Sequence, residues 1–99
     1  MDIKIHSVKF DADKKLINFI ESKVNKLIQF NDDIIAAEVF LRLENSQDME
    51  NKITEIKLDI PGNNLFAKKQ SKSFEEATDL AVDALRKQVK RKKEKLRKS

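Results

Sequence analysis

Apolar and polar side chains alternate in four short stretches of the chain, a pattern typical of strands that bury one face of a sheet. The predicted strands run over Asp2–Val8, from Ile35 to Glu44, through Ile56, Leu58 and Ile60, and over Leu65–Gln70. In the second strand, one side carries Ile35, Ala37, Val39, Leu41 and Leu43, and the other carries Glu38, Phe40, Arg42 and Glu44. We therefore expect one face of the sheet to be buried and the other to be open.

The connections between these strands contain loop and turn residues. The polar run Asn45–Asn51 predicts a loop after the second strand. Pro61-Gly62-Asn63-Asn64 predicts a tight turn after the third, in which Pro61 suits the second position and Gly62 a positive φ. Connections of this length favour an antiparallel arrangement of the last three strands.

Two longer stretches repeat their apolar residues every three or four positions, as helices with one buried stripe do. The first runs from about Asp13 to Phe30, with Asp11 or Asp13 as its N-cap. The second runs from Ser73 to Lys98 and begins with a capping box, a Ser followed three residues later by Glu76. The two stripes consist of Leu16, Ile17, Ile20, Val24, Leu27 and Ile28, and of Phe74, Ala77, Thr78, Ala81, Leu85 and Val89.

The predicted order of elements is β-α-β-β-β-α. Because a helix joins the first two strands, we expect them to be parallel and connected by a right-handed crossover. Each helix has one apolar stripe, so both can pack on the same face of the sheet. The predicted fold class is an α/β (α+β) two-layer sandwich, with a four-stranded mixed sheet and two helices on one face. A final helix over 73–98 would be about 39 Å long, so its last turns should extend beyond the sheet.

Composition limits the class of protein. A chain of 99 residues, 39% hydrophobic and 38% charged, suits one small domain, which we assign to residues 1–99. It has no cysteine, so neither a disulfide framework nor a thiolate metal site is expected. The N-terminus lacks the basic and apolar regions of a signal peptide, and no apolar segment approaches membrane-spanning length. We expect a cytoplasmic protein.

No catalytic or cofactor-binding signature occurs in the sequence. His6 is the only histidine, and no recognisable motif places a Ser, a Cys or a carboxylate beside it, so we expect it to be exposed and structurally neutral. A chain with one Gly cannot form a glycine-rich phosphate loop. The sequence therefore predicts no enzyme activity, no cofactor, no metal and no small-molecule substrate.

Positive charge is concentrated at the end of the chain. Residues 86–99 contain nine of the 21 Lys and Arg residues and one acid, a net charge of +8 that leaves the rest of the chain at −4. Like charges at four-residue spacing destabilise an isolated helix, and four turns of cations exceed what the helix dipole requires. The first half of the same helix carries Glu75, Glu76, Asp79 and Asp83 instead. We expect an anionic partner, nucleic-acid phosphate above all, at the second half of the helix.

Eight of the nine basic residues at the end of the last helix form two rows on neighbouring sides. One row contains Arg86, Lys90, Lys93 and Arg97, and the other contains Lys87, Arg91, Lys95 and Lys98. Lys23 and Lys26 would extend this surface if the two helices lie side by side, or they are simply a solvated helix face. The candidate RNA-binding residues are Lys23, Lys26, Arg86, Lys87, Lys90, Arg91, Lys93 and Arg97.

Two other groups admit a functional and a structural interpretation. Phe40 and Phe66 are predicted on the open face of the sheet, where they could stack on bases, but a small hydrophobic cluster is the favoured interpretation. Lys68, Lys69 and Lys72 precede the last helix, and protection of an edge strand explains them better than phosphate binding.

The element order, the Pro61–Asn64 hairpin and the phrase from Ser73 to Lys90 resemble the short ribosome hibernation-promoting factors, relatives of ribosome-associated inhibitor A. The resemblance covers essentially the whole chain and is sharpest around Ala77, Asp79, Leu85 and Gln88. One departure is Lys72-Ser73-Phe74, where the family commonly has an acid-methionine-tyrosine phrase. Phe74 can keep the packing role of that tyrosine.

The resemblance implies a bacterial protein of stress or stationary phase that binds the small ribosomal subunit between its head and body. There it would occlude the messenger and transfer-RNA sites and inhibit translation. It implies contacts to ribosomal RNA from basic residues of both helices, which are the candidates given above. It also implies a chain without the additional dimerisation domain of the long forms, and we expect a monomer when the protein is not bound to ribosomes.

Two alternative functions belong to other classes. A double-stranded RNA-binding domain shares the α-β-β-β-α core, but it grips the duplex with lysines at the start of its last helix, where this chain has Glu75, Glu76 and Asp79. A module that binds a membrane surface or a protein through the basic helix would need apolar residues opposite the charges, and beyond Val89 only Leu96 is apolar.

Overall fold

The chain folds into a four-stranded sheet with two helices on one face. A computed structural model describes the backbone of residues 2–44, 50–62 and 64–98 and the side chains of residues 3–44, 50–62 and 64–91. The elements are β1 (Asp2–Ser7), α1 (Lys14–Gln29), β2 (Ala36–Leu43), β3 (Lys52–Asp59), β4 (Leu65–Ser71) and α2 (Phe74–Lys98). The predicted β-α-β-β-β-α order and two-layer sandwich are confirmed.

The strands lie in the sheet in the order in which they occur in the chain. β1 and β2 are parallel, with Ile3 opposite Ala37, as expected for strands joined through a helix. β2, β3 and β4 form an antiparallel meander, in which Val39 lies opposite Ile56 and Ile56 opposite Ala67. The register places the alternating apolar residues of neighbouring strands opposite one another. One face of the sheet is therefore apolar and forms one side of the core.

The core lies between this face and the apolar stripes of both helices. The predicted stripe of α1 is buried except at Ile17, which is half-buried. The predicted stripe of α2 is buried at every position, and Val82 joins it. Near the start of the helices, the rings of Phe10 and Phe74 stack with centroids 5.0 Å apart. Because α1 follows β1 and α2 follows β4, two strands that run in the same direction, the two helices run in the same direction as well.

Both helices begin at side-chain caps. Of the two candidates for α1, Asp13 is the N-cap, and its Oδ1 accepts a hydrogen bond from the backbone N–H of Leu16 at 2.8 Å. At α2, the Oγ of Ser73 accepts from the backbone N–H of Glu76 at 3.1 Å. Each cap satisfies a backbone donor that the first turn of a helix leaves without a partner.

The turns follow the sequence pattern where the structure describes them. Gly62 has a φ of 85° in the connection between β3 and β4, as predicted, and no atom lies near its missing Cβ. Its neighbour Asn63 lies outside the described residues. Most of the predicted Asn45–Asn51 loop, residues 45–49, is also outside them. At the base of that loop, Glu44 donates its N–H to the carbonyl oxygen of Asn51 at 2.9 Å.

Burial differs from simple alternation at the ends of β2 and on the open face of the sheet. Ile35 and Leu43 are 57% and 49% exposed, although they belong to the apolar side of the pattern, and Ile34 is buried in their place at the start of the strand. The helices cover the middle of β2 and not its ends, which is why only the central positions are protected. On the open face, Ile53 and Glu55 of β3 are buried.

Helix α2 is longer than any strand, and its backbone continues nine residues past Val89, the last residue described as buried. The longest dimension of the molecule is 47 Å, compared with roughly 27 Å for an eight-residue strand. The final turns of α2 thus run beyond the sheet, as its length predicted.

Candidate nucleic-acid interface

Helix α2 presents acidic side chains in its first half and basic side chains in its second. Glu75, Glu76 and Asp79 are exposed, and so are the cations from Arg86 to Arg91. The acids lie near the positive end of the helix dipole and the cations near the negative end, which favours the helix. An anionic partner would be repelled from the first half and attracted to the second.

Asp83 partly neutralises the first two cations of the basic segment. Its carboxylate lies 3.8 Å from the guanidinium of Arg86 and 3.4 Å from the ammonium of Lys87. The helix places Asp83 three and four residues before them, within reach of both side chains. These pairs are exposed, so they reduce the local field without removing it.

Lys90 and Arg91 have no acidic partner among the described side chains. They are exposed and follow directly on Val89, the last residue described as part of the core. The remaining candidates of the helix, Lys93 and Arg97, have side chains outside the described residues, although the backbone is helical at both positions. Lys90 and Arg91 are thus the best-placed described cations for contact with phosphate.

The two candidates on α1 differ in their surroundings. The ammonium of Lys23 lies 3.1 Å from a carboxylate oxygen of Asp79 on α2 and 5.5 Å from the ring centroid of Phe19. It therefore links the two helices, and Asp79 offsets its charge. Lys26 is exposed one turn further along α1, toward the basic end of α2, and has no acidic partner among the described side chains. The two helices do lie side by side, which is the condition under which the sequence made Lys23 and Lys26 candidates for the basic surface.

A shallow depression with a volume of about 430 Å³ lies between β4 and the flank of α2. Leu80 and Ala84 form its apolar part, and Lys69 of β4 faces Lys87 and Arg91 of α2 across it. We refer to this depression as the edge groove. Lys69 was interpreted as protection of an edge strand, and its place beside the basic segment depends on how α2 packs across β4. The sequence could have indicated this place, because Lys69 shares the side of Leu65 and Ala67, which the helices cover.

The open face carries a network around Phe40. The ring of His6 stacks on Phe40 with centroids 4.9 Å apart, and its Nε2 lies 2.9 Å from a carboxylate oxygen of Glu38. On the same ring, the guanidinium of Arg42 lies 5.5 Å from the centroid and also forms an ion pair with Glu55. His6 is exposed, as expected, but it is not structurally neutral. Phe40 clusters with His6 and Arg42, while Phe66, 52% exposed, lies on the edge strand.

Neither a metal centre nor a membrane-spanning helix is found in the described part of the chain. No cluster of three or more His, Asp or Glu side chains there could hold a metal ion. A smaller cavity of about 230 Å³ on the open face is lined by Lys4, Glu38, Lys57 and Asp59 among others, a mixture of both charges without a preferred ligand. Of the helices described, none is long and apolar enough to cross a bilayer.

The chain from residue 3 to residue 97 matches the family model described as sigma 54 modulation protein / S30EA ribosomal protein. The chain belongs to this family. The membership confirms the resemblance to hibernation factors that the sequence indicated. It makes the chain a member of a ribosome-associated bacterial family, concerned with translation and not known for enzymes. Among curated proteins, no sequence matches the chain significantly.

Two solved structures of this kind are similar to the S30EA chain. A ribosomal subunit interface protein from Coxiella burnetii is 20% identical, with a TM-score of 0.82 over 94% of this chain and 98% of that one. The N-terminal domain of Protein Y from Thermus thermophilus is 28% identical, with a TM-score of 0.77 over 92% of this chain and 98% of that one. The first likeness establishes the fold, and the second adds sequence similarity over nearly the whole domain.

Proposed function

We propose that this protein is a ribosome hibernation factor that binds the small ribosomal subunit through ribosomal RNA. Bound there, it occludes the messenger and transfer-RNA sites and inhibits translation during stress or stationary phase. It acts in the cytoplasm, as one domain over residues 1–99, is a monomer when not bound to ribosomes, and has no catalytic role of its own.

The observation that carries this proposal is the row of exposed cations Arg86, Lys87, Lys90 and Arg91 in the second half of α2, on a chain of the S30EA family. Lys90 and Arg91 lie past Val89, the last residue described as buried, so they contribute little to the core and are available to a partner. Exposed Lys and Arg side chains on a rigid helix can follow a phosphate backbone and release its counterions without reading the sequence. The proposed contacts are Lys23, Lys26, Arg86, Lys87, Lys90, Arg91, Lys93 and Arg97.

The sheet and the packed parts of the two helices act as a rigid body in the proposed function. The sheet and the two helices share one core, so the domain can fill a cleft without rearranging. The acidic first half of α2 limits the orientations in which RNA can approach. A double-stranded RNA-binding domain would need cations at that point, where Glu75 and Glu76 are exposed.

A pair of charge reversals tests the proposed surface. We expect Lys90→Glu/Arg91→Glu to weaken co-sedimentation with small ribosomal subunits at least about tenfold, because two phosphate contacts become repulsive. The matched control is Lys14→Glu/Lys15→Glu, which changes the same charge on exposed residues at the start of α1. The control should bind like the wild type, and circular dichroism should show both variants folded.

Two results would contradict the proposal. If both double variants lose the same affinity, binding depends on net charge and not on the basic half of α2. If the wild type binds a plain RNA duplex as tightly as it binds small subunits, the protein is a general duplex binder.

A further inference from the structure

The edge groove combines features that a surface for duplex RNA does not need. Leu80, 44% exposed, and Ala84 lie one helical turn apart on the flank of α2 that faces β4. Lys69 approaches from the strand, and Lys87 and Arg91 from the helix. The groove thus has an apolar floor with cations on two sides.

One acidic side chain offsets only part of the positive charge around the groove. Asp83 also lines it and holds Lys87 at 3.4 Å, so the positive charge of that lysine is partly offset. Lys69 and Arg91 have no acidic partner among the described side chains. A ligand is therefore favoured when its anionic group meets Lys69 and Arg91 and its apolar part lies over Leu80.

Gln88 supplies the groove with hydrogen-bonding groups in a fixed position. Its Nε2 donates to the carbonyl oxygen of Phe66 at the start of β4, at 3.1 Å. A side-chain amide has two N–H donors and a carbonyl acceptor. The bond to Phe66 uses one donor, which leaves the other donor and the carbonyl oxygen available to a ligand. Such a pair can recognise the edge of a planar base.

We propose that the edge groove binds an unpaired nucleotide of the RNA partner. The base lies on Leu80 and Ala84 within reach of the Gln88 amide, and its phosphate meets Lys69 and Arg91. Single-stranded RNA is recognised by aromatic or guanidinium planes that stack on its unpaired bases, together with cations that contact its backbone. In the edge groove, the apolar surface of Leu80 and Ala84 takes the place of such a plane. This inference rests on the proposed function, because the groove is continuous with the basic half of α2, and it extends that function to single-stranded RNA.

Other occupants account for fewer of these features. A duplex backbone presents phosphates and sugars and no apolar group to place over Leu80. An acidic peptide would suit the cations and could pair with the edge of β4. The carbonyl of Phe66, however, already accepts from Gln88, so strand addition would first have to break that bond.

The test compares two charge reversals on neighbouring residues of β4. Lys69→Glu alters the groove, whereas Lys68→Glu makes the same change on the opposite side of the strand, where Lys68 lies opposite Glu55 of the open face. The probe is a short single-stranded RNA of mixed sequence, compared with the duplex that it forms with its complement. We expect Lys69→Glu to weaken binding of the single strand about tenfold and Lys68→Glu to leave it near that of the wild type.

A second variant tests the apolar floor without changing charge. We expect Leu80→Gln to weaken single-strand binding about fivefold while leaving binding of the duplex unchanged, because only a base uses the apolar surface. In NMR spectra of the protein, the Leu80 and Ala84 methyl signals should shift on addition of the single strand.

The outcomes separate this inference from the proposed function. If Lys90→Glu/Arg91→Glu abolishes binding to small subunits while Lys69→Glu and Leu80→Gln bind the single strand like the wild type, the groove inference is wrong and the proposed function stands. If a short acidic peptide shifts the Leu80 methyls and the single strand does not, the groove is a peptide site. If the wild type does not bind small subunits at all, the proposed function itself fails.

Discussion

Two threonine hydroxyls join the sheet to α2 at the centre of the molecule. Thr54 of β3 and Thr78 of α2 are fully buried, and their Oγ atoms lie 3.3 Å apart. Each is a polar group inside an otherwise apolar layer. A buried hydroxyl that loses its partner keeps the cost of its desolvation, so the two residues should depend on each other.

We expect Thr78→Val to lower the free energy of unfolding by about 1–2 kcal/mol, because it leaves the Thr54 hydroxyl buried without its partner. The double variant Thr54→Val/Thr78→Val should recover most of this loss, since an apolar pair of the same shape replaces the hydrogen-bonded pair. Urea denaturation of the wild type, both single variants and the double variant measures the coupling. Strictly additive losses would show that the hydroxyls do not interact.

At single residues, the sequence predicted which positions of α2 are exposed but not which side chains form ion pairs. The exposed positions of Lys90 and Arg91 followed from helical periodicity alone. The ion pair between Lys23 and Asp79 depends on how far apart the two helices lie, and no periodicity contains that distance. Similarly, Glu38 reaches His6 only through the register of β1 against β2.

The helices are the elements that the sequence predicted best. An apolar stripe repeated over four or more turns has few alternative interpretations, so every predicted core position of α2 is buried. The strands were found with the correct order and pairing, but the exposure of Ile35 and Leu43 could not be predicted. Alternation tells which side of a strand a residue occupies, and only the packed helices determine how much of that side they cover.

The choice of N-cap at α1 can be tested directly, because the chain offers two aspartates and the structure uses one. We expect Asp13→Ala to lower the free energy of unfolding by about 1 kcal/mol, since the N–H of Leu16 loses its acceptor. Asp11→Ala removes the same charge two residues earlier and is the matched control, with an expected change within about 0.5 kcal/mol. Thermal or urea unfolding distinguishes them, and an equal loss in both variants would mean that the charge matters and the cap bond does not.

Across the whole molecule, some of the exposed cations are paired with acids and others are not. Asp79 and Asp83 form ion pairs with the nearby cations Lys23, Arg86 and Lys87. Among the described side chains, no acid lies within ion-pair distance of Lys26, Lys90 or Arg91. The sequence predicted where the basic residues are concentrated, while the fold determines which of them are paired with an acid.

Under the proposed function, this distribution of charge should make the affinity for small subunits depend on salt. We expect the logarithm of the binding constant to fall linearly with the logarithm of the potassium chloride concentration. Replacing Lys90 alone by Gln should reduce that slope by about 1, the value for one lost phosphate contact. Replacing Lys14 by Gln should leave the slope unchanged. A slope near zero for the wild type would rule out phosphate binding as the basis of association.

The agreement between strand order and chain order has a consequence for how the protein is made. Each strand pairs only with strands adjacent to it in the sequence, so no late segment must insert between two that are already in place. Helix α2, the last element, contacts β3 and β4, the two strands synthesised just before it. Such local pairing favours rapid folding with little exposure of incomplete sheets. The protein can therefore acquire its structure progressively during its own synthesis, with α2 closing the core as the final step.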